Sequence, residues 1–107
     1  MTLRDNDSSR AYAKDCVFAN IAVTVAFQTF ASALKNALVT LPDDKVVAGI
    51  AVMPAADCYV AAASDTELAA KQPAYAGVWQ TMTWVTVLDD FGLVGTDTTA
   101  LLRVYLN

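Results

Sequence analysis

Five stretches of this sequence alternate apolar residues with small or polar ones: 21–27, 46–53, 57–63, 78–88 and 98–107. Turn-forming residues separate them at short spacing, and internal repeats and low-complexity linkers are absent. Period-two patterning in β-branched and aromatic residues, broken by Pro, Gly and Asp, predicts an all-β fold. A small antiparallel β-sandwich or jelly-roll-like barrel fits it better than a βαβ arrangement. The organisation expected is a flexible amino-terminal arm over residues 1–15, followed by one sandwich domain over residues 16–107.

The arm carries Arg4, Asp5, Asp7, Arg10, Lys14 and Asp15, with little apolar bulk beyond Leu3 and Tyr12. Such a segment buries too little area to offset its ordering entropy, so it stays mobile until a neighbouring surface pins it. In 21–27, Ile21, Val23, Val25 and Phe27 point one way and Ala22, Thr24 and Ala26 the other, which is the pattern of a strand. A helix competes with it. Asn20, Thr24, Gln28 and Ser32 recur every fourth residue, and Phe27, Phe30, Leu34 and Leu38 line one helical side. Residues 28–38 stay open between the two.

Pro42-Asp43-Asp44-Lys45 reads as a turn, with proline fixing φ and the aspartates bonding local N–H groups. The next strand, 46–53, sets Val46, Ala48, Ile50 and Val52 on one face. Gly49 on the other face marks a bulge or a close backbone approach, and Pro54 ends the pairing. Residues 57–63 oppose Cys58, Val60 and Ala62 to Tyr59, Ala61 and Ala63, a half-buried strand with Cys58 inward. Ser64-Asp65-Thr66-Glu67 has capping-box spacing, so one helical turn is expected over 68–72, stopped by Pro73.

Residues 78–88, dense in Trp, Thr, Met and Val, read as the strongest strand, and its parity sends Trp84 into the core and Trp79 outward. Asp89-Asp90-Phe91-Gly92 turns, Leu93-Val94 makes a short return strand, and Gly95-Thr96-Asp97 turns again. The last strand, 98–107, points Ala100, Leu102, Val104 and Leu106 inward and Thr99, Leu101, Arg103 and Tyr105 outward.

Composition narrows the function classes. The chain has 107 residues, enough for one core, and is 56% hydrophobic and 17% charged, so it must hide more surface than usual, in part against other chains. A net charge of −4 removes the basic patch that nucleic-acid binding needs, so no nucleic-acid partner is expected. Residues 16–34 carry no charge and are long enough to cross a bilayer, but Asn20, Thr24, Gln28, Thr29 and Ser32 make that costly. No membrane partner is expected. The polar amino terminus lacks the apolar run of a secretory signal, which points to a protein made and used without export.

Catalysis has little to work with. There is no histidine, and the two cysteines, Cys16 and Cys58, lack CxxC spacing, so two buried thiols are favoured over a bridge, a zinc site or a redox pair. The pairs Asp43–Asp44 and Asp89–Asp90 sit in turns, where aspartate serves the backbone. Asp89, Asp90 and Asp97 match no calcium loop. Gly49, Gly77, Gly92 and Gly95 are scattered and form no phosphate loop. No catalytic residue, metal or cofactor is expected. The residues best suited to an interface are Arg4, Arg10, Tyr12, Tyr59, Tyr75, Trp79, Arg103 and Tyr105, which join amphipathic rings to guanidinium groups.

Within residues 46–107, three segments carry a resemblance: Asp57-Cys58-Tyr59-Val60-Ala61-Ala62-Ala63 leading into a variable loop, Tyr75-Ala76-Gly77-Val78-Trp79, and the closing strand from Gly95 to Leu106. In these the chain resembles the small capsid decoration, or cement, proteins of tailed bacteriophages, which have β-sandwich or jelly-roll folds. The resemblance implies a non-enzymatic virion subunit, commonly a homotrimer, made in the host cytoplasm. It would sit on the outer capsid surface where major capsid protein subunits meet. An acidic, charge-poor, Ala-rich sandwich with a polar arm agrees with that role. The alternatives are a head-tail connector or tail component, and a carbohydrate-binding or adhesin module using Trp79 and Tyr75. An enzyme comes last.

Overall fold

The computed structural model describes residues 15–107. Nearly all of the arm therefore lies outside the described residues, and with it Arg4, Arg10 and Tyr12. Asp15, assigned to the arm, is instead the first residue of a strand. Eight strands and one helix follow in order: β1 (Asp15–Val23), β2 (Gln28–Thr29), α1 (Phe30–Asn36), β3 (Val47–Pro54), β4 (Cys58–Ala62), β5 (Gln72–Ala74), β6 (Gln80–Met82), β7 (Phe91–Gly95) and β8 (Thr98–Leu106).

The strands form two four-stranded sheets, β1-β8-β3-β6 and β2-β7-β4-β5. Every pairing is antiparallel: β1 with β8, β2 with β7, β3 with β6, and β4 with β5, while β8–β3 and β7–β4 complete the sheets. A doubled ribbon folded over on itself gives this nested order, which is the connectivity of a jelly roll. The predicted all-β sandwich is the fold observed.

Alternation builds the core between the sheets. Ala19, Ile21 and Val23 of β1, Ile50 and Val52 of β3, and Ala100, Leu102, Val104 and Leu106 of β8 face Cys58 and Val60 of β4, Ala74 of β5 and Leu93 of β7. Each fully buried Val, Leu or Ile contributes about 1.5–3 kcal/mol relative to exposure. Gly92 admits the short strand β2, because a β-carbon there would collide with the Gln28 carbonyl oxygen and the Thr29 backbone. Gly49 has φ 139° at the register shift where β3 pairs with β8, which is a bulge, one of the two readings the sequence left open.

Several expectations are corrected. The first strand starts six residues before Ile21 and ends at Val23, leaving Val25 exposed in a bend. Its side chains keep the predicted parity, so only the ends were misplaced. On β3 the inward side begins as predicted at Ile50 and Val52, but the bulge turns Val47 toward the core and leaves Val46 exposed. The capping box at Ser64 caps no helix. The Asp65 carboxylate takes the N–H groups of Ala69 (3.1 Å) and Ala70 (2.8 Å) within successive turns, and Pro73 lies inside β5 instead of stopping a helix.

The stretch 78–88 is the largest departure. Only Gln80–Met82 pairs, with β3, and the remainder is turn and irregular loop. Met82, Val85 and Leu88 drop into the core at every third residue. A three-residue edge strand gives no parity for residues beyond it, so Trp84, expected inside, is 54% exposed. Phe91 and Gly92, read as a turn, are the start of β7. Cys16 is half-buried on β1, so only Cys58 is a fully buried thiol, and both are free.

Residues 28–38 resolve into β2 and α1. The Thr29 hydroxyl accepts the Ser32 N–H at 3.1 Å as an N-cap. Phe30, Ala33 and Leu34 then bury one side, and no β-branched residue intervenes. The Ala31 N–H donates to the Leu88 carbonyl at 3.1 Å, tying the helix start to the 83–90 loop. The helix ends with Val39 N–H donating to Leu34 O at 3.0 Å, a closure that needs a left-handed residue at position 38. Leucine fills it, at φ 60° and almost fully exposed. Leu38→Gly relieves that backbone and loses no burial. It should raise unfolding free energy by about 0.5–1 kcal/mol, read as a higher urea midpoint with an unchanged slope.

Candidate functional site

Three of the residues proposed for an interface meet on the outward face of the β1-β8-β3-β6 sheet. Register places them: Phe18 of β1 lies opposite Arg103 of β8, and Arg103 lies opposite Ala51 of β3. One step along β8, Tyr105 lies between Cys16 and Gly49. Small residues on β3 open the space. Gly49 has no side chain to compete with the Tyr105 ring, and Ala51 leaves room for Arg103 to reach across β3 toward Trp79, which immediately precedes β6.

The result is a clamp. The Arg103 guanidinium carbon sits 4.7 Å from the Phe18 ring centroid and 4.7 Å from that of Trp79, with the Tyr105 ring at 5.9 Å. Its Nη1 donates to the Tyr105 hydroxyl at 3.1 Å, and its Nε is shielded from solvent with no acceptor among the described residues. Packing of this kind explains why Tyr105, outward by parity, is only 4% exposed. Phe18 and Trp79 remain 58% and 40% exposed, and Leu101 beside them on β8 is exposed as well. A flat, weakly hydrated guanidinium suits such stacking, and each cation–π contact contributes about 0.5–1 kcal/mol when partly exposed.

Trp79 owes its position to two loops. The Asp57 carboxylate accepts the Ala76 N–H at 2.8 Å, and the Gly77 N–H donates to the Pro54 carbonyl at 2.9 Å. Gly77, at φ 72°, makes the turn that precedes Val78 and Trp79. The segment after β5 is thereby pinned to the segment after β3, and the indole is carried to the sheet edge.

The other candidates lie elsewhere. Tyr59 is on the outward side of β4 in the opposite sheet, where the Lys71 ammonium stands 5.2 Å from its ring centroid. Tyr75 follows β5 and is exposed. Phe18 was missed by sequence reading. It sits ahead of the strand start assigned at Ile21, and extending the same alternation back to Cys16 would have placed it outward opposite Arg103.

Little in the described residues suits covalent chemistry. Asp43, Asp44, Asp89, Asp90 and Asp97 are exposed, and no three His, Cys, Asp or Glu side chains converge among the described residues as a metal ion requires. A groove of about 500 Å³ beside α1 is lined by Ala31, Leu34, Leu38, Val39, Leu41 and Leu88, with Lys35 its sole titratable side chain. Burial pushes the Cys58 thiol above its ordinary value, and the neighbouring Asp57 carboxylate adds to the rise. Such a thiol is a poor nucleophile near neutral pH. No helix among the described residues is long and apolar enough to cross a membrane; residues 16–34 divide among β1, β2 and α1.

Two outcomes follow. Arg103→Ala should destabilise the fold by about 1.5–3 kcal/mol through loss of three ring contacts, and Arg103→Lys should recover less than half of it, both read by urea unfolding. Because Cys58 holds its proton more tightly when folded, its contribution to stability is intact below about pH 8.5, where the unfolded thiol ionises, and is lost as pH rises toward the folded value. Cys58→Ala should therefore flatten the alkaline fall in unfolding free energy.

Compared with family models, curated proteins and solved structures, the chain matches none, so the reading of this site rests on its own geometry.

Proposed function

We propose that the protein is a virion structural subunit of a tailed bacteriophage, a capsid decoration or cement protein that self-associates as a homotrimer. It binds the major capsid protein lattice on the outer surface of the head. The observation that carries this reading is the amount of large apolar surface left outward by a domain that already has a complete core. Phe18, Leu101 and Trp79 on one sheet, Tyr59 on the other, and Trp84 and Val87 in the loop between β6 and β7 are all exposed. Exposed apolar groups on this scale mark surfaces meant to be covered by protein. The jelly-roll connectivity is one that viral capsid domains use, and many weak contacts repeated over a lattice suffice for firm attachment.

No acid–base or nucleophilic constellation competes with that reading among the described residues. The carbohydrate alternative built on Trp79 and Tyr75 is less well supported, because one side of the Trp79 ring is occupied by the Arg103 guanidinium. A head-tail connector or tail component shares the fold and differs in stoichiometry.

Quantitative mass spectrometry of purified particles that carry the gene tests this. The copy number of the chain should scale with that of the major capsid protein, and Trp84→Asp, at an exposed loop away from the clamp, should lower its occupancy on the head. A fixed, ring-sized number would assign it to the connector or tail, and absence from particles would remove the virion role.

A further inference from the structure

We propose that the clamp formed by Phe18, Arg103 and Trp79 is the seat of the chain's own amino-terminal segment, with Asp5 or Asp7 meeting the Arg103 guanidinium. The inference stands whether or not the protein binds a capsid.

The first argument is the state of Arg103. Its partners among the described residues are three rings and one phenol oxygen, and its Nε has no acceptor there. Rings hold a guanidinium flat but do not answer its charge, and a carboxylate is the group whose geometry and sign do both. Charge complementarity extends beyond this contact. Residues 15–107 hold nine acidic and four basic side chains, whereas residues 1–14 hold three basic and two acidic ones. The two parts attract overall, and Asp5 and Asp7 supply the carboxylates that Arg103 selects.

The second argument is reach. The segment joins the sheet at Asp15, on β1, an edge strand of the face that bears the clamp. Phe18 is three residues further on, about 10 Å along the strand. Fourteen extended residues span at most about 50 Å, more than the 38 Å longest dimension of the molecule. Asp7 lies eight residues before Asp15, a reach of at most about 29 Å, which exceeds the roughly 10 Å to Phe18 and lets it turn back over the outward face. Leu3 and Tyr12 bring apolar cover to a place where Phe18 and Leu101 have little. Tethering gives the segment an effective concentration in the millimolar range, so its own clamp is favoured over that of a second copy in dilute solution.

The test uses the full chain with Trp84→Phe, which leaves Trp79 as the only tryptophan of the two. Acrylamide quenching of Trp79 is compared in three forms: this parent, the parent with Asp5→Asn and Asp7→Asn, and the parent with Asp43→Asn and Asp44→Asn as a charge-matched control. The Asp5 and Asp7 pair should raise quenching, with the seated population falling about twofold to fivefold, the range an exposed ion pair supports. The control should match the parent, and dilution should change nothing. Equal quenching in all three forms, or an equal rise in the control, overturns the seat. Quenching that rises on dilution assigns the segment to a second copy and overturns the own-chain arrangement.

Discussion

Strand β8 is the constraint on which this molecule depends. It is flanked on both sides, by β1 over its full nine residues and by β3 over most of its length. Its inward side chains, Ala100, Leu102, Val104 and Leu106, are all nearly fully buried. The opposite side of the same nine residues carries Arg103 and Tyr105. Core and clamp are thus two faces of one strand, and the register that packs Leu102 and Val104 also sets Arg103 between Phe18 and Ala51. A one-residue slip would exchange the two faces and destroy both.

That coupling explains why small residues matter on the outward side. Ala51 and Gly49 contribute little apolar area themselves, yet each lies across from a long β8 side chain that needs the space. The Ala-rich composition of the chain, read at first as a sign of closely spaced surfaces, here makes floor space for a flat cation. The rings then stand on either side of it, one from the edge strand and one from a loop.

Legibility in the sequence was greatest in the long strands with neighbours on both sides. In β8, flanked on both sides, every inward residue was identified, and in β3 and β4 so were Ile50, Val52, Cys58 and Val60. Val46 and Ala62 were misassigned, since the bulge at Gly49 exposes the first and Ala61 is buried more deeply than the second. β7, also flanked on both sides, has its start in residues that read as a turn. Edge segments were harder. β1 begins with Asp15 and Cys16, which resemble the arm more than a strand, so its start and Phe18 were missed. In 78–88 the β-forming residues are real, but only three of them find a partner. Met82, Val85 and Leu88 enter the core at a spacing of three that strand alternation does not anticipate. Three members of the clamp, Trp79, Arg103 and Tyr105, were picked out by residue type, whereas their convergence depends on β8 and the 75–79 loop meeting across β3, which no local pattern encodes.

The nested strand order also governs how the chain comes to exist. The partners of β1 on β8 lie 75 to 91 residues further along the chain. The β1–β8 ladder therefore closes a loop of that length, and pairings at such separation form slowly. The ladders that use only residues up to 95, β4–β5, β3–β6, β2–β7 and β4–β7, have no such delay, so the sheet bearing the clamp is the part that closes after the other.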